Sequence, residues 1–215
     1  MKRLARRILG WVGLELYGAR GGAYLCRAPH AGRAEHPRSL PSPCHLQLRR
    51  DRDATTGQVE VNGNGPAPQA FASGFVRLPE IADHSVDTIG LTEVYEFLFR
   101  QDRRHAIREW RRILKPGGTL VLSGIPDFES ITAAYVAAGP GGAGTTFGLD
   151  EVFRRTHGDP ATANSAERML KDVFTRESVV TELTAAGYEV DSSQNIQRPA
   201  EPAAFWLHVV ARKPR

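Results

Sequence analysis

Four side chains in this sequence are of the types that general acid–base chemistry uses: Glu96 in VYEFL, Asp127 and Glu129 in IPDFES, and His157 in RRTHGDP. A carboxylate or imidazole can take the proton of a hydroxyl or amine as that atom attacks an electrophile, provided it lies within hydrogen-bond reach. Each has an ordinary alternative. Asp127 and Glu129 precede ITAAYVAA, where acids suit the amino end of a helix. His157 lies in a Gly-Asp-Pro stretch that reads as a loop able to cover a site. A second constellation is Cys26, His30, His36 and Cys44, with three, five and seven intervening residues. That spacing matches no common zinc finger, so the expectation is unpaired thiols and no metal.

Something must hold these groups in place. At 215 residues, 41% hydrophobic and 24% charged, the chain can bury one sizeable core. The formal charge of +4 comes from 28 Lys and Arg interleaved with 24 Asp and Glu, a solvated-face pattern that argues against a nucleic-acid partner. Two cysteines in a chain of this length suit a reduced, cytoplasmic protein better than a disulfide framework. No apolar run is long enough to span a membrane, and Glu15 with nearby glycines breaks the start MKRLARRILGWVGLELYG as a signal peptide. Those first eighteen residues predict a basic amphipathic helix. Packing on the domain is the expectation, with contact to an anionic membrane surface as the alternative. Residues 18–42 read as an irregular connector, which divides the chain into an N-terminal segment, 1–43, and a domain, 44–215.

Within the domain, strand and helix patterns alternate. HLQL and GQVEV read as strands, followed by the buried strand VDTIGL. EFLFRQDRRHAIREWRRIL reads as an amphipathic helix with Ile107, Trp110 and Ile113 inward and its arginines, Arg103 included, in water. Lys115-Pro116-Gly117-Gly118 ends that helix and TLVLSGIP follows as a buried strand. ITAAYVAA and then RESVVTELTA, capped by Thr175 and stopped at Gly187, read as further helices. YEVDSSQNI and FWLHVVARK close the domain as two strands able to pair antiparallel. Strand–helix–strand order with short connections predicts an α/β domain built on a parallel sheet.

LPEIADHSVDTIGLTEVYEFL followed by REWRRILKPGGTLVLSGIPDFESI resembles the second half of the class I S-adenosylmethionine-dependent methyltransferases. The resemblance extends over about residues 44–212 and implies a Rossmann-like fold. That fold has a mostly parallel central sheet, an antiparallel C-terminal edge hairpin and helices on both faces. It implies S-adenosylmethionine as cofactor, held near Leu48 and Arg49 after the first strand, Asn62 and Gly63 after the second, Ser73 and Gly74 ahead of the LP dipeptide, and Thr92 and Glu93 after the fourth. It also implies a small-molecule acceptor such as a sugar or natural product. Glu96, Asp127 and His157 then become candidates to contact or deprotonate that acceptor, and a protein partner or homodimer stays open.

The sequence departs from the family where the cofactor is held. The turn after HLQL is Arg49-Arg50-Asp51-Arg52, without the glycines that let a backbone approach the ligand, and the second strand ends in an amide, Asn62, instead of an acid. Two expectations follow from these departures. One is a methyltransferase with a rewritten pocket. The other is a methyltransferase fold that no longer methylates, serving as a cyclase- or isomerase-type enzyme or as a stabilising partner.

Overall fold

The computed structural model describes residues 14–19, 22–27, 43–50, 57–61, 70–71, 76–79, 81–139, 147–159, 169–199 and 201–215. Strands β1 (Leu14–Ala19) and β2 (Gly22–Arg27) pair antiparallel across two residues, so this stretch is neither the end of a helix nor a connector. The alternation in LELYGA and GAYLCR suits a pleated ladder, and so short a link suits a hairpin.

The main sheet has seven strands: β3 (His45–Arg50), β4 (Gly57–Val61), β5 (Ala70–Phe71), β6 (Val86–Thr92), β7 (Leu114–Pro126), β8 (Glu189–Ile196) and β9 (Trp206–Arg212), in the order β5-β4-β3-β6-β7-β9-β8. Only the β3–β6 and β6–β7 pairs are parallel. The expected C-terminal hairpin is present, with β9 antiparallel to both β7 and β8. The expectation of a mostly parallel sheet is corrected on the other side, where β3–β4 and β4–β5 are antiparallel. The reason is chain length. Six residues separate Arg50 from Gly57, and a parallel crossover needs a dozen or more.

Register fixes the two faces of the sheet. Leu46, Ile89, Leu120 and Ala211 lie side by side, as do Leu48, Leu91, Leu122 and Val209, and all are buried. This face packs on helix α1 (Arg100–Ile113) through Ala106, Ile107, Trp110 and Ile113, and on helix α4 (Arg176–Ala185) through Val179 and Leu183. α4 carries the predicted Thr175 cap as a full capping box with Ser178. The opposite face presents His45, Gln47, Thr88, Thr92, Thr119, Ser123 and His208, all at least partly exposed. Strict alternation of this kind marks a sheet with one solvated face. α1 and α4 share one core on the helix-covered face. Helices α2 (Phe128–Ala138) and α3 (Leu149–His157) form a second, smaller cluster around Ile131, Phe147 and Phe205.

The SVD and LKPGG motifs act together at the amino end of β6. Asp87 accepts the Cys44 backbone N–H at 2.8 Å and pairs with Lys115 at 2.7 Å. A Cβ on Gly118 would lie 2.9 Å from the Lys115 carbonyl and 3.1 Å from that of Asp87. Gly117 turns at φ +78 and donates to the Lys213 carbonyl at 2.8 Å. The most recognisable sequence motif is thus a clamp on the fold.

Candidate functional site

In an open α/β sheet, ligands bind outside the carboxyl ends of the strands where strand order reverses. Here that point lies between β3 and β6, since the chain proceeds outward from β3 through β4 and β5 on one side and from β6 through β7 on the other. Arg49 and Thr92 face each other in register at this edge. Gln47 lies across the same face, its Nε2 donating to Thr92 Oγ1 at 3.4 Å. Its side-chain oxygen would stand 2.5 Å from a Cβ on Gly90, so glycine there leaves room for it. Leu48 is fully buried on the helix-covered face, which leaves only its backbone to meet a ligand.

Glu93 follows in a left-handed conformation, φ +57, which few side chains other than Gly, Asn and Asp adopt readily. Its carboxylate pairs with Arg198 at 3.0 Å. Arg198 reaches the Gly124 carbonyl at 3.4 Å and stacks 3.7 Å from the centre of the Trp206 ring. Gly124, φ +88, has space for this only because it lacks a Cβ, which would stand 2.4 Å from Arg198 Nη2. Beside them, Ser123 Oγ and His208 Nδ1 are 2.6 Å apart. None of Gln47, Ser123, Arg198, Trp206 or His208 was singled out by sequence; they fall in strands and a proline-containing loop whose pattern carries no chemical signal.

Asn62, Gly63, Ser73 and Gly74 lie outside the described residues. The strand that precedes them is described. β4 runs antiparallel to β3, and its last residue, Val61, lies opposite Leu46, while Gly57 lies opposite Arg50. Four residues of strand, about 13 Å, separate those positions. β4 therefore delivers the chain to the amino edge of the sheet, away from Thr92 and Glu93.

The acid–base candidates fare differently. Asp127 follows Pro126 at the carboxyl end of β7 and is 3% exposed. It occupies the position preceding α2 yet makes no side-chain capping bond. Instead Oδ2 accepts from Ser130 Oγ at 2.6 Å and Asn195 Nδ2 at 2.7 Å, and Oδ1 is buried with no partner. Glu129 is exposed in the first turn of α2, where a carboxylate favours the positive helix end. Glu96 is buried in a 3-10 turn, Tyr95–Phe97, and its backbone carbonyl accepts the Lys171 N–H at 2.9 Å. The expectation that His157 lies in a loop is corrected: it is the last residue of α3, exposed, stacked on Phe153 at 4.7 Å and 2.8 Å from Thr156 Oγ1. Its carbonyl accepts the Leu170 N–H at 3.1 Å. The structure thus joins Arg49, Thr92 and Glu93 at one edge, keeps Asp127 at the end of the adjacent strand, and leaves His157 on the surface.

Of the four residues weighed as metal ligands, Cys44 is a free thiol in the core at the start of β3, and burial pushes its pKa up. Cys26 lies within β2, while His30 and His36 fall outside the described residues. Among the described residues no helix is long and apolar enough to cross a membrane.

A family model described as a methyltransferase domain matches residues 52–122. The match begins past β3 and ends within β7, so the methyltransferase domain signature spans the β6–α1–β7 unit and its clamp. A solved structure from Listeria monocytogenes, described as an S-adenosylmethionine-dependent methyltransferase, shares the fold with a TM-score of 0.51 at 12% identity, over 72% of this chain and 73% of that one. The 1,6-didemethyltoxoflavin-N1-methyltransferase of Burkholderia thailandensis, solved with S-adenosylhomocysteine, is 20% identical with a TM-score of 0.45, over 67% of this chain and 50% of that one. An S-adenosylmethionine-dependent methyltransferase of Methanosarcina mazei is 19% identical with a TM-score of 0.44, over 71% of each chain. The chain spans half the length of the Burkholderia enzyme. No curated protein matches it. The fold shared with the Listeria structure is α/β and Rossmann-like, with β3 and β4 paired antiparallel in this chain.

Proposed function

We propose that the protein is a cytoplasmic S-adenosylmethionine-dependent methyltransferase acting on a small molecule or sugar in a biosynthetic pathway, with ligands held at the carboxyl edge between β3 and β6. The observation that carries this reading is the reversal of strand order there, with Arg49 and Thr92 in register and the strained Glu93 beside them. The residues fit the cofactor on the β6–β7 side. Thr92 offers an exposed hydroxyl, Glu93 and Gly124 bend the backbone away from the strands, and Asp127 keeps a carboxylate oxygen unpartnered. S-adenosylmethionine would supply the electrophilic methyl group. The chain would contribute mainly orientation, with Asp127 the best placed of the three acid–base candidates.

A second reading rests on the other half of the edge. The β3–β4 hairpin removes both the glycine turn and the strand end that would meet a ribose, which favours a methyltransferase fold that performs other chemistry or stabilises a partner.

Isothermal titration of the full chain with S-adenosylmethionine and S-adenosylhomocysteine separates the two. Micromolar affinity, about −8 kcal/mol, supports the first. Absence of heat and of any thermal shift at millimolar ligand would overturn it in favour of the second.

A further inference from the structure

The first reading leaves open what the edge recognises, and Asp127 speaks to that through three independent features. The first is that it does not do the work its position offers. Directly ahead of α2 it stands where an aspartate ordinarily accepts from the second or third helical N–H, yet no such bond is made. Its backbone meets its own needs elsewhere, donating to the Phe205 carbonyl at 2.8 Å and accepting from Ile131 N at 3.1 Å.

The second feature is that one oxygen is held with unusual care. Oδ2 accepts from Ser130 Oγ and from Asn195 Nδ2, at 2.6 and 2.7 Å. The Asn195 amide is itself oriented. Its oxygen accepts from Arg176, which can only donate, and its nitrogen also donates to the Ala204 carbonyl at 3.2 Å. Asn195 and Ser130 are therefore positioning residues, and the carboxylate plane they fix directs Oδ1 in a set direction.

The third feature is that Oδ1 is buried and has no partner among the described residues. Among the described residues no cation forms an ion pair with Asp127. A carboxyl oxygen buried without a partner is costly, and such a cost persists at positions where a ligand later relieves it.

We propose that Asp127 Oδ1 is the recognition point for an organic cation, a sulfonium or ammonium group, on the ligand bound at this edge. The proposal rests on the carboxyl edge being the ligand site and not on the identity of the ligand. Two molecules could bring that charge: the cofactor, through its sulfonium or its ammonium, or an amine-bearing acceptor.

Asp127→Asn keeps the shape and both positioning contacts while removing the charge. The full-length protein and this variant are titrated with S-adenosylmethionine, S-adenosylhomocysteine and benzylamine, and their thermal midpoints are compared without ligand. The expected result is an unliganded variant that melts at or above the parent, with at least tenfold weaker binding of one probe class. Loss confined to S-adenosylmethionine assigns the sulfonium, since the homocysteine product lacks that charge. Equal loss of both nucleosides assigns the ammonium. Loss confined to benzylamine assigns an acceptor amine, and would stand even if the protein bound neither nucleoside and the methyltransferase reading fell. The proposal is overturned if the variant melts more than about 5 °C below the parent or fails to fold, because Asp127 would then be structural. It is equally overturned if the variant binds every probe as the parent does, or if the parent binds none.

Discussion

Replacing Arg103 by methionine probes the joint between α1 and α4, which sequence alone would have left in water. The guanidinium is 4% exposed. It donates to Glu182 at 2.7 Å, to Asp172 at 3.0 Å and to the Leu98 carbonyl at 3.3 Å, between the rings of Tyr95 and Phe174 at 5.1 and 4.8 Å. Methionine preserves much of the packed stem, so the loss reports the charge. It strands Glu182, which also accepts from the Tyr95 hydroxyl at 2.5 Å, and leaves Asp172 with Arg100, whose side chain is 66% exposed. Removing one partner of a buried pair costs about 3–5 kcal/mol, and the exposed Arg100 pair offsets little of it. We expect about 3 kcal/mol. For a domain of this size that corresponds to a thermal midpoint roughly 6–12 °C lower. Urea unfolding at pH 7, with the slope checked for constancy, measures it directly. The double variant Arg103→Met, Glu182→Gln should recover more than half, because the stranded charge is gone. A single-variant loss under about 1 kcal/mol would refute the reasoning and show that water or local repacking serves the two acids equally well.

Gly118→Ala sets a Cβ 2.9 Å from one carbonyl and 3.1 Å from another, both backbone, so we expect a loss of about 1–3 kcal/mol in urea unfolding. The carboxyl of Asp87 is held below its usual range by the Cys44 backbone N–H and then by Lys115. A depressed carboxylate contributes stability above its unfolded value, near 3.8, that is lost as pH falls through the lower folded value. Unfolding measured between pH 5 and pH 2 should therefore show a steeper loss for the parent than for Asp87→Asn. Gly124→Ala forces Arg198 aside and strains a backbone at φ +88; a loss of about 1–2 kcal/mol is expected. The same variant should change ligand affinity at the β6–β7 edge, measured by titration, if Arg198 helps shape it.

The parts of the fold legible in the sequence were those whose local pattern and tertiary role coincide. VDTIGL and TLVLSGIP are strands because apolar and β-branched residues dominate them, and Thr175 and Gly187 bracket α4 by capping chemistry that needs no partner. Arg103 was misread because its sequence neighbours are exposed arginines, and only the approach of Glu182, 79 residues away, makes burial tolerable. The helix α3 was missed although Asp150 and Glu151 open it, Arg154 and Arg155 close it and Gly158 follows; the Gly-Asp-Pro run after it dominated the reading. Thr92, Glu93 and Asp127 could be placed because they end recognisable strands. The direction of β4 could not, since an apolar strand pattern carries no polarity.

The shortened link between β3 and β4 also bears on how the sheet assembles. Arg50 and Gly57 are joined by six residues, whereas His45 reaches its parallel partner Thr88 across 42. Closing the first loop is fast and local, while the second carries the entropy of a long closure. One flank can therefore form as a self-contained hairpin ahead of the seam where β3 meets β6. That seam is also the reversal point proposed for the ligand, so whatever binds there would grip a junction made by a long closure.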